Sequence, residues 1–400
     1  MQARAIWVEV RREPLVGGRP LRFHTPSNRG LARCSTPVSV IPSKDQLRAA
    51  KGLLLDAVRS HVWLLDGLER ESGEAMRILY AGAELQKNYI AHLAFGDECD
   101  CRSLGVATPI SLRRFARRNP HEASLMVVDG HPFHRWLYGA RGDFWIPRWI
   151  RFVGDAPLVA TNRSAKEDLR RLRKSSLTYS VTTTSDRLRE FYHSMYLPTV
   201  TTRHGNRAVE MGLHRMLDRL RQGTCELLQV LKADEAIAGV LIAYEEGRPR
   251  LWSNGILNGD PVHLKERVVP ASYYFASLHL AEQGFDSMDI GSTRAFFSDG
   301  VMAYKTKWKV RAQVDALRGF LFKPLAPARA LDSLLAAHPM VTLEKGEPRA
   351  AVFRSTAQDL SMREREQLGD DYGLEGLAGV DIYQTGGVPR GCPVKVVTDE

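Results

Sequence analysis

The second half of the chain alternates between helical and strand-like spacing of its apolar residues. Two stretches, 186–195 and 209–221, repeat apolar residues every three or four positions and predict two amphipathic helices. Three apolar runs follow, at 225–231, 236–244 and 249–257, and each predicts a strand. The segments that separate them, 232–235 and 245–247, carry Asp or Gly and favour tight turns. Together the three runs predict an antiparallel meander.

One long helix and three shorter elements complete this unit. The helix begins at Pro270, a residue that suits the first helical turn, and ends at Gly284. A short strand over 286–290, a helix over 300–308 and a final strand over 314–322 follow. The predicted order is two helices, three strands, then helix, strand, helix and strand.

The first half has a weaker pattern. Apolar residues recur at helical spacing over 45–68 and again over 74–94, and 110–118 reads as a basic surface helix. The run 124–128 predicts a buried strand that ends at Asp129-Gly130. Ser164 and Glu167 have the spacing of a capping box and predict a connecting helix over 164–177. We therefore divide the chain into an extension (1–44), a first half (45–160), a second half (161–323) and a C-terminal extension (324–400).

The net charge of +10 is concentrated in two segments. Residues 1–44, rich in Arg, Pro, Gly and Ser, predict a flexible basic extension. The second surplus lies in the connecting helix, and the rest of the chain is close to neutral. Such a distribution is weak evidence for nucleic-acid binding. The Arg170-Arg171-x-Arg173-Lys174 run is either a solvated helix face or a phosphate-binding surface.

Composition favours a cytoplasmic protein without a membrane span. No apolar run approaches the roughly 20 residues that a transmembrane helix needs, and the first residues lack the apolar core of a secretory signal. The five cysteines are scattered and odd in number, which suits a reducing compartment. Neither Cys99 with Cys101 nor His131 with His134 has a partner pair at zinc-site spacing, so we expect no metal.

Three stretches of sequence carry a resemblance to a known family. They are SAKEDLRRLRKSSLTYSV, FYHSMYLPTVTTRHGN and GFDSMDIGSTRAFFSDGVMAYKTKWKV, which lie between positions 158 and 322. They resemble the branch of the GNAT acyltransferase superfamily that includes Fem-type aminoacyl transferases and acetyltransferases of polysaccharide gene clusters. The resemblance implies an α/β (α+β) fold with a mixed central sheet flanked by helices. It also implies two GNAT-like halves in tandem, of which the first is degenerate.

The same resemblance implies an acyl donor, either acyl-coenzyme A (acetyl or longer) or aminoacyl-tRNA. The glycine-rich GNAT loop that holds the pyrophosphate is absent, and NGDPVHLKERVV stands in its place. There, Lys265 and Arg267 could bind phosphate beside a helix N-terminus, where free N–H groups favour anions. Acyl-coenzyme A is the donor that we expect first, and aminoacyl-tRNA is the alternative, which the missing glycines and the basic segments favour. The acceptor is an amine or hydroxyl of a small molecule or polymer precursor.

The candidate catalytic residues come from the quoted stretches. Lys305 resembles the lysine that faces the reacting carbonyl in the Fem-like branch, and Tyr304 and Trp308 flank it in the family spacing. Asp289 lies at a strand end near the expected cleft, as a site residue or a turn residue.

Four further residues complete the candidate site. Asn254 and Gly255 belong to the central strand, which is bulged and splayed in the GNAT fold. Gly255 is either the bulge residue, where it would let a ligand or another chain approach the backbone, or an ordinary interior glycine. Arg203 and His204 could bind an anionic acceptor or supply the base. A third interpretation, a non-catalytic GNAT-fold binding protein, predicts that Lys305→Ala leaves function intact.

Overall fold

The computed structural model describes residues 11–12, 59–119, 122–132, 134, 142–204, 211–355, 360–385 and 394–397. Apart from Arg11–Arg12, the predicted extension 1–44 therefore lies outside the described residues, as does the whole stretch 45–58.

The elements are numbered in chain order. The strands are β1 (Arg11–Arg12), β2 (Ser60–Leu68), β3 (Ala75–Ala81), β4 (Asp100–Ala107), β5 (Leu125–Gly130), β6 (Phe144–Pro147), β7 (Ile150–Asp155), β8 (Leu177–Thr182), β9 (Cys225–Lys232), β10 (Glu235–Glu245), β11 (Arg248–Ile256), β12 (Ser287–Thr293), β13 (Val310–Val314), β14 (Gly319–Pro324), β15 (Met340–Glu344), β16 (Glu347–Arg354), β17 (Val380–Gln384) and β18 (Val394–Val397). The α-helices are α1 (Glu84–Phe95), α2 (Pro109–Arg118), α3 (Arg163–Lys174), α4 (Ser185–Phe191), α5 (Leu197–His204), α6 (Leu213–Arg221), α7 (Val262–Lys265), α8 (Val268–Glu282), α9 (Gly300–Lys305), α10 (Arg329–Ala337) and α11 (Met362–Tyr372).

An eight-stranded mixed sheet, in the order β1-β8-β9-β10-β11-β12-β7-β13, forms the centre of the second half. The meander β9-β10-β11 is confirmed, because both of its turns are two-residue turns with positive φ at each central residue: Ala233 (49°) with Asp234 (70°), and Glu246 (52°) with Gly247 (76°). That geometry matches the twist of adjacent antiparallel strands.

Helices cover both faces of this sheet. Leu228 and Val240 point to the face on which α3 and α8 pack, whereas Leu227 and Leu241 point to the face covered by α4 and α6. A single π-helical turn, Tyr192–Tyr196, joins α4 to α5. The alternation of side chains along each strand thus buries apolar residues on both faces.

A six-stranded sheet, in the order β4-β2-β3-β5-β14-β6, forms the first half. Helix α1 covers one of its faces and α2 the other. The halves exchange strands. β7 precedes residue 161 yet lies between β12 and β13 of the larger sheet, while β14 inserts between β5 and β6 of the smaller one. One apolar core consequently runs through both halves.

The C-terminal residues form a third sheet, β15-β16-β17-β18. Helix α10 packs against the common core, and Leu368 of α11 packs on Val352 and Ile382 of this sheet. The mixed α/β architecture is as predicted.

Four local predictions were wrong. The described part of the stretch 45–68 is strand β2, in which the adjacent residues Leu64 and Leu65 are buried in different clusters on opposite faces of the sheet. Because both faces are buried, the two-residue alternation of apolar and polar positions that marks a strand is absent from the sequence. The stretch 74–94 contains strand β3 before helix α1. The final strand 314–322 is split between two strands in different sheets, β13 and β14. Helix α3 is capped by Asn162, whose side chain accepts the amide of Ala165 at 2.9 Å, and not by Ser164.

Candidate active site

The larger sheet opens between β11 and β12. Strands β11 and β12 are parallel and pair at one position only, Arg250 opposite Asp289. Beyond that position the two strands continue without pairing to each other. Buried Thr199 of α5 holds the end of β11, because its hydroxyl accepts the amide of Ile256 at 2.8 Å. A cleft therefore forms beyond the pair, lined by strand ends and helix termini.

Strand β11 is bulged, but not where the sequence suggested. Leu251 pairs with Ile242 and Ser253 with Leu241, so the additional residue is Trp252. Gly255 serves a different purpose: a Cβ there would lie 2.6 Å from the backbone N of Tyr196, on the π-helical turn. Gly255 thus allows the π-helical turn to approach the backbone of β11 closely, and the prediction that Gly255 is the bulge residue was wrong.

The cleft contains two cavities that share a wall. The first, of about 450 Å³, lies between the end of β11, the first turns of α8 and helix α9; we call it the apolar cavity. Most of its lining is aliphatic or aromatic: Ile256, Leu264, Val268, Val269, Tyr273, Val301 and Tyr304. Asn254 is a polar exception, and its Oδ1 is buried without a hydrogen-bond partner in the described part of the chain.

The second cavity, of about 930 Å³, is lined by the middle of β11, by β12 and by the ends of β7 and β13; we call it the polar cavity. Its charged lining consists of Arg151, Arg203, Arg250, Lys305 and Asp315. The residues common to both cavities are Thr199, Arg203, Asn254, Tyr273 and Val301. The two cavities are therefore adjacent along this shared wall.

Lys305 is buried at the base of the polar cavity, with 3% of its surface exposed. Its Nζ donates to the carbonyl of Ser292 at 3.3 Å. Burial lowers the pKa of Lys305 to about 8, and Asp289 opposes this shift while Arg250 adds to it. A Cβ on Gly291 would lie 3.1 Å from Nζ, so this glycine leaves room for the ammonium.

Asp289 is the centre of an ion network. Its Oδ2 lies 3.3 Å from Nε of Arg151 and 3.5 Å from Nε of Arg250, and its Oδ1 accepts the amide of Gly291 at 2.6 Å. The carboxylate is thus both a turn residue and a partner for two cavity arginines. Sequence reasoning missed both Arg151 and Arg250. Arg151 lies on β7, the strand that the first half contributes to the larger sheet.

One end of the apolar cavity, which we call its mouth, is formed by Leu264 of α7 and Val268 of α8. Arg267 precedes α8 in the left-handed conformation (φ 65°), and its guanidinium donates to the buried carboxylate of Asp168 at 2.9 Å. This contact ties the N-terminus of α8 to the basic helix α3. Lys265 ends α7 next to this mouth, but it lines neither cavity.

The remaining predicted residues are distributed as follows. Tyr304 lines the apolar cavity, edge-on to Tyr273 at 5.3 Å between ring centroids, and burial raises its pKa well above the ordinary value. Trp308 is buried in the common core. Arg203 reaches both cavities. Helix α5 ends at His204, whose side chain lies outside the described part of the structure.

Within the described ranges no group of His, Cys, Asp or Glu side chains could hold a metal ion. None of the helices described there is long and apolar enough to cross a membrane.

No protein-family model matches the sequence, and no curated protein matches it significantly. Solved structures are similar to it. FemX matches with 11% identity over 64% of this chain and 83% of its own, at a TM-score of 0.33. The C-terminal domain (DUF2156) of a lysylphosphatidylglycerol synthetase from Agrobacterium fabrum, described as putative, matches with 13% identity over 68% and 86%, at 0.30. A tandem GNAT protein of the clavulanic acid pathway matches with 11% identity over 65% and 82%, at 0.27.

FemX and the tandem GNAT protein belong to groups that the sequence resemblance named, whereas the synthetase domain was not among them. At such identities and TM-scores they add no detail to the site, which rests on the geometry given above.

Proposed function

We propose that the protein transfers an acyl group from a donor in the apolar cavity to an amine or hydroxyl of an acceptor in the polar cavity. The observation that supports this most is that Asn254, Tyr273 and Arg203 line both cavities, so that donor and acceptor sites are adjacent beside the bulged and splayed strand β11. Acyl transfer requires this arrangement, because the nucleophile and the carbonyl must be held in contact.

Charge placement fits the reaction. Attack of the acceptor on the acyl carbonyl forms a C–N or C–O bond and places a negative charge on the carbonyl oxygen. Below pH about 8, Lys305 is an ammonium with few competing partners and can stabilise that oxyanion. Collapse of the oxyanion breaks the bond between the acyl carbon and the sulfur or oxygen of the donor, and the neutral hydroxyl of Tyr304 can protonate that leaving atom. His204 stays our proposed base for the acceptor proton.

The donor we favour is acyl-coenzyme A, from acetyl to longer chains. An aliphatic lining suits the acyl chain and its thioester linker. The N-terminus of α8 forms part of the cavity wall, and its free N–H groups favour a phosphate at the mouth. Lys265 and Arg267 stand beside that mouth and would add positive charge.

Aminoacyl-tRNA is the second candidate donor, and one observation favours it. Helix α3 exposes Arg163, Lys166, Arg173 and Lys174, and the Asp168–Arg267 contact holds this helix at the mouth of the apolar cavity. A polyanion that entered the cavity with its 3′ end would lie against that surface. Such binding would weaken steeply with salt.

Donor binding tests the proposal. Acetyl-coenzyme A, a long-chain acyl-coenzyme A and charged tRNA are each titrated while the melting temperature is recorded, since a ligand specific for the folded state raises it. Val269→Trp fills the apolar cavity, and Val159→Trp, at an exposed position in neither cavity, is the matched control.

We expect one donor class to stabilise the wild type and the control but not Val269→Trp. Stabilisation that survives Val269→Trp, or no stabilisation by any of the three, would rule out donor binding in this cavity. A donor that binds, together with a Lys305→Ala variant that keeps full function, would favour the non-catalytic interpretation.

A further inference from the structure

The polar cavity has a surplus of positive charge. Arg151, Arg203, Arg250 and Lys305 line it, against the single lining carboxylate of Asp315. The nearby carboxylate of Asp289 is shared between Arg151 and Arg250, and Arg250 also pairs with Glu245 at 3.2 Å, so Arg203 and Lys305 carry most of the surplus. A neutral acceptor would leave this surplus uncompensated in a partly dehydrated site, whereas an anion would compensate it.

An exposed tryptophan stands at the same wall. Trp149 lies in the turn between β6 and β7, lines the polar cavity and keeps 46% of its surface exposed. The guanidinium of Arg294 stacks on its ring at 4.2 Å from the centroid and on the ring of Tyr89 at the same distance. Arg294 also donates to Gln86 at 2.8 Å. The indole is therefore held in a fixed orientation as a flat apolar surface.

Trp149 and Arg151 are two positions apart, and both belong to the first half of the chain. A flat aromatic surface beside a guanidinium suits a ligand with one apolar face and one acidic group. Sugars present such a face through their C–H groups. We propose that the acceptor is an anionic sugar, which stacks on Trp149 and binds its carboxylate or phosphate at Arg151 and Arg203.

This inference rests on the proposed function, because it assigns the acceptor for the same site. It gives the first half of the chain a role in specificity: this half supplies the side chains that select the acceptor, while the second half supplies Lys305 and the apolar cavity. Arg294 acts as a positioning residue, through the ring of Trp149.

The test measures binding of sugar probes to the full chain by calorimetry in the absence of donor. Two matched pairs separate charge from ring: glucosamine against glucosamine 6-phosphate, and galactose against galacturonate. We expect the charged member of at least one pair to bind ten-fold or more tightly than its neutral partner. The pair that shows the preference identifies phosphate or carboxylate as the acidic group.

Variants place the binding in this cavity. Arg151→Gln should abolish the preference for the anion while binding of the neutral sugar persists, and Trp149→Ala should weaken both members about ten-fold. Arg294→Lys keeps the charge but loses the planar stack, and should also weaken both. Arg311→Gln, a change on an exposed arginine that lines neither cavity, is the control.

Three outcomes would overturn the anionic-sugar assignment. They are equal binding of neutral and charged sugars, a preference for the anion that Arg151→Gln leaves intact, and no binding of any probe at millimolar concentration. None of these outcomes affects the donor-binding result for Val269→Trp. The acceptor assignment can therefore fail while the proposed transfer stands, and a failure of donor binding is recognised separately.

Discussion

Replacing Lys305 with methionine should remove activity and make the protein more stable at neutral pH. Methionine has nearly the same length and no charge, so the substitution removes a buried ammonium without leaving a large gap. The pKa of Lys305 is lowered from 10.5 to about 8 by burial. That difference corresponds to about 3 kcal/mol of destabilisation of the folded state while the lysine is charged. Loss of the hydrogen bond to the Ser292 carbonyl offsets about 1 kcal/mol, so the variant should gain about 2 kcal/mol.

The sign of the pH dependence follows from proton binding. Below pH 8 the lysine is charged in both the folded and the unfolded chain, and the folded wild type carries the full cost. Between pH 8 and 10.5 the unfolded chain binds more protons, so the stability of the wild type rises with pH relative to the variant. The advantage of Lys305→Met should therefore be largest at pH 7, vanish near pH 9.5 and reverse to about 1 kcal/mol in favour of the wild type by pH 10.5.

Parallel thermal or urea unfolding of the two proteins at pH 7 and pH 10 measures this difference. Transfer activity of the wild type should also fall as pH rises through about 8, since the ammonium becomes a neutral amine. A variant that is less stable than the wild type at pH 7 would refute the reasoning, because it would mean that the ammonium is well compensated by Asp289. Activity that rises through pH 8 would instead assign Lys305 the role of a base.

Three further changes have defined outcomes. Gly255→Ala should cost about 1 to 3 kcal/mol of unfolding free energy, because its Cβ would meet the Tyr196 backbone N at 2.6 Å; a neutral effect in urea unfolding would contradict that contact. Asp168→Asn should weaken donor affinity several-fold, since it releases Arg267 at the mouth of the apolar cavity, and unchanged affinity in a titration would contradict this coupling. Burial acts to raise the pKa of Glu226, but hydrogen bonds from neighbours including His279 hold that pKa below its ordinary value. Glu226→Gln should therefore lower the free energy of unfolding by about 2 kcal/mol above pH 4.5. Parallel thermal melts should show that this loss shrinks as the pH falls to 3.

The sequence predicted well those features that depend on local signals. The β9-β10-β11 meander was recognisable because its turns carry the Asp and Gly residues that tolerate positive φ. Helix α8 was recognisable from a proline in its first turn and a glycine after its last. The resemblance directed attention to Lys305, and the structure places that side chain in a cavity.

Features that depend on distant pairing were not predictable. Trp149 and Arg151 enter the polar cavity only because β7 inserts between β12 and β13, and no local pattern encodes that exchange. Strand β2 reads as a helix because both of its faces are buried, which removes the two-residue alternation. The register shift at Trp252 depends on pairing with β10, so the more flexible Gly255 was the natural but wrong choice for the bulge.

The most direct test of the account is a crystal structure with an unreactive donor, an S-alkyl coenzyme A whose thioester carbonyl is replaced by a methylene group. The account predicts the alkyl chain in the apolar cavity, the sulfur beside Asn254 at the shared wall, and the diphosphate at the N-terminus of α8. An analogue that bound elsewhere, or that did not bind while the protein stayed folded, would contradict transfer from acyl-coenzyme A through this cleft.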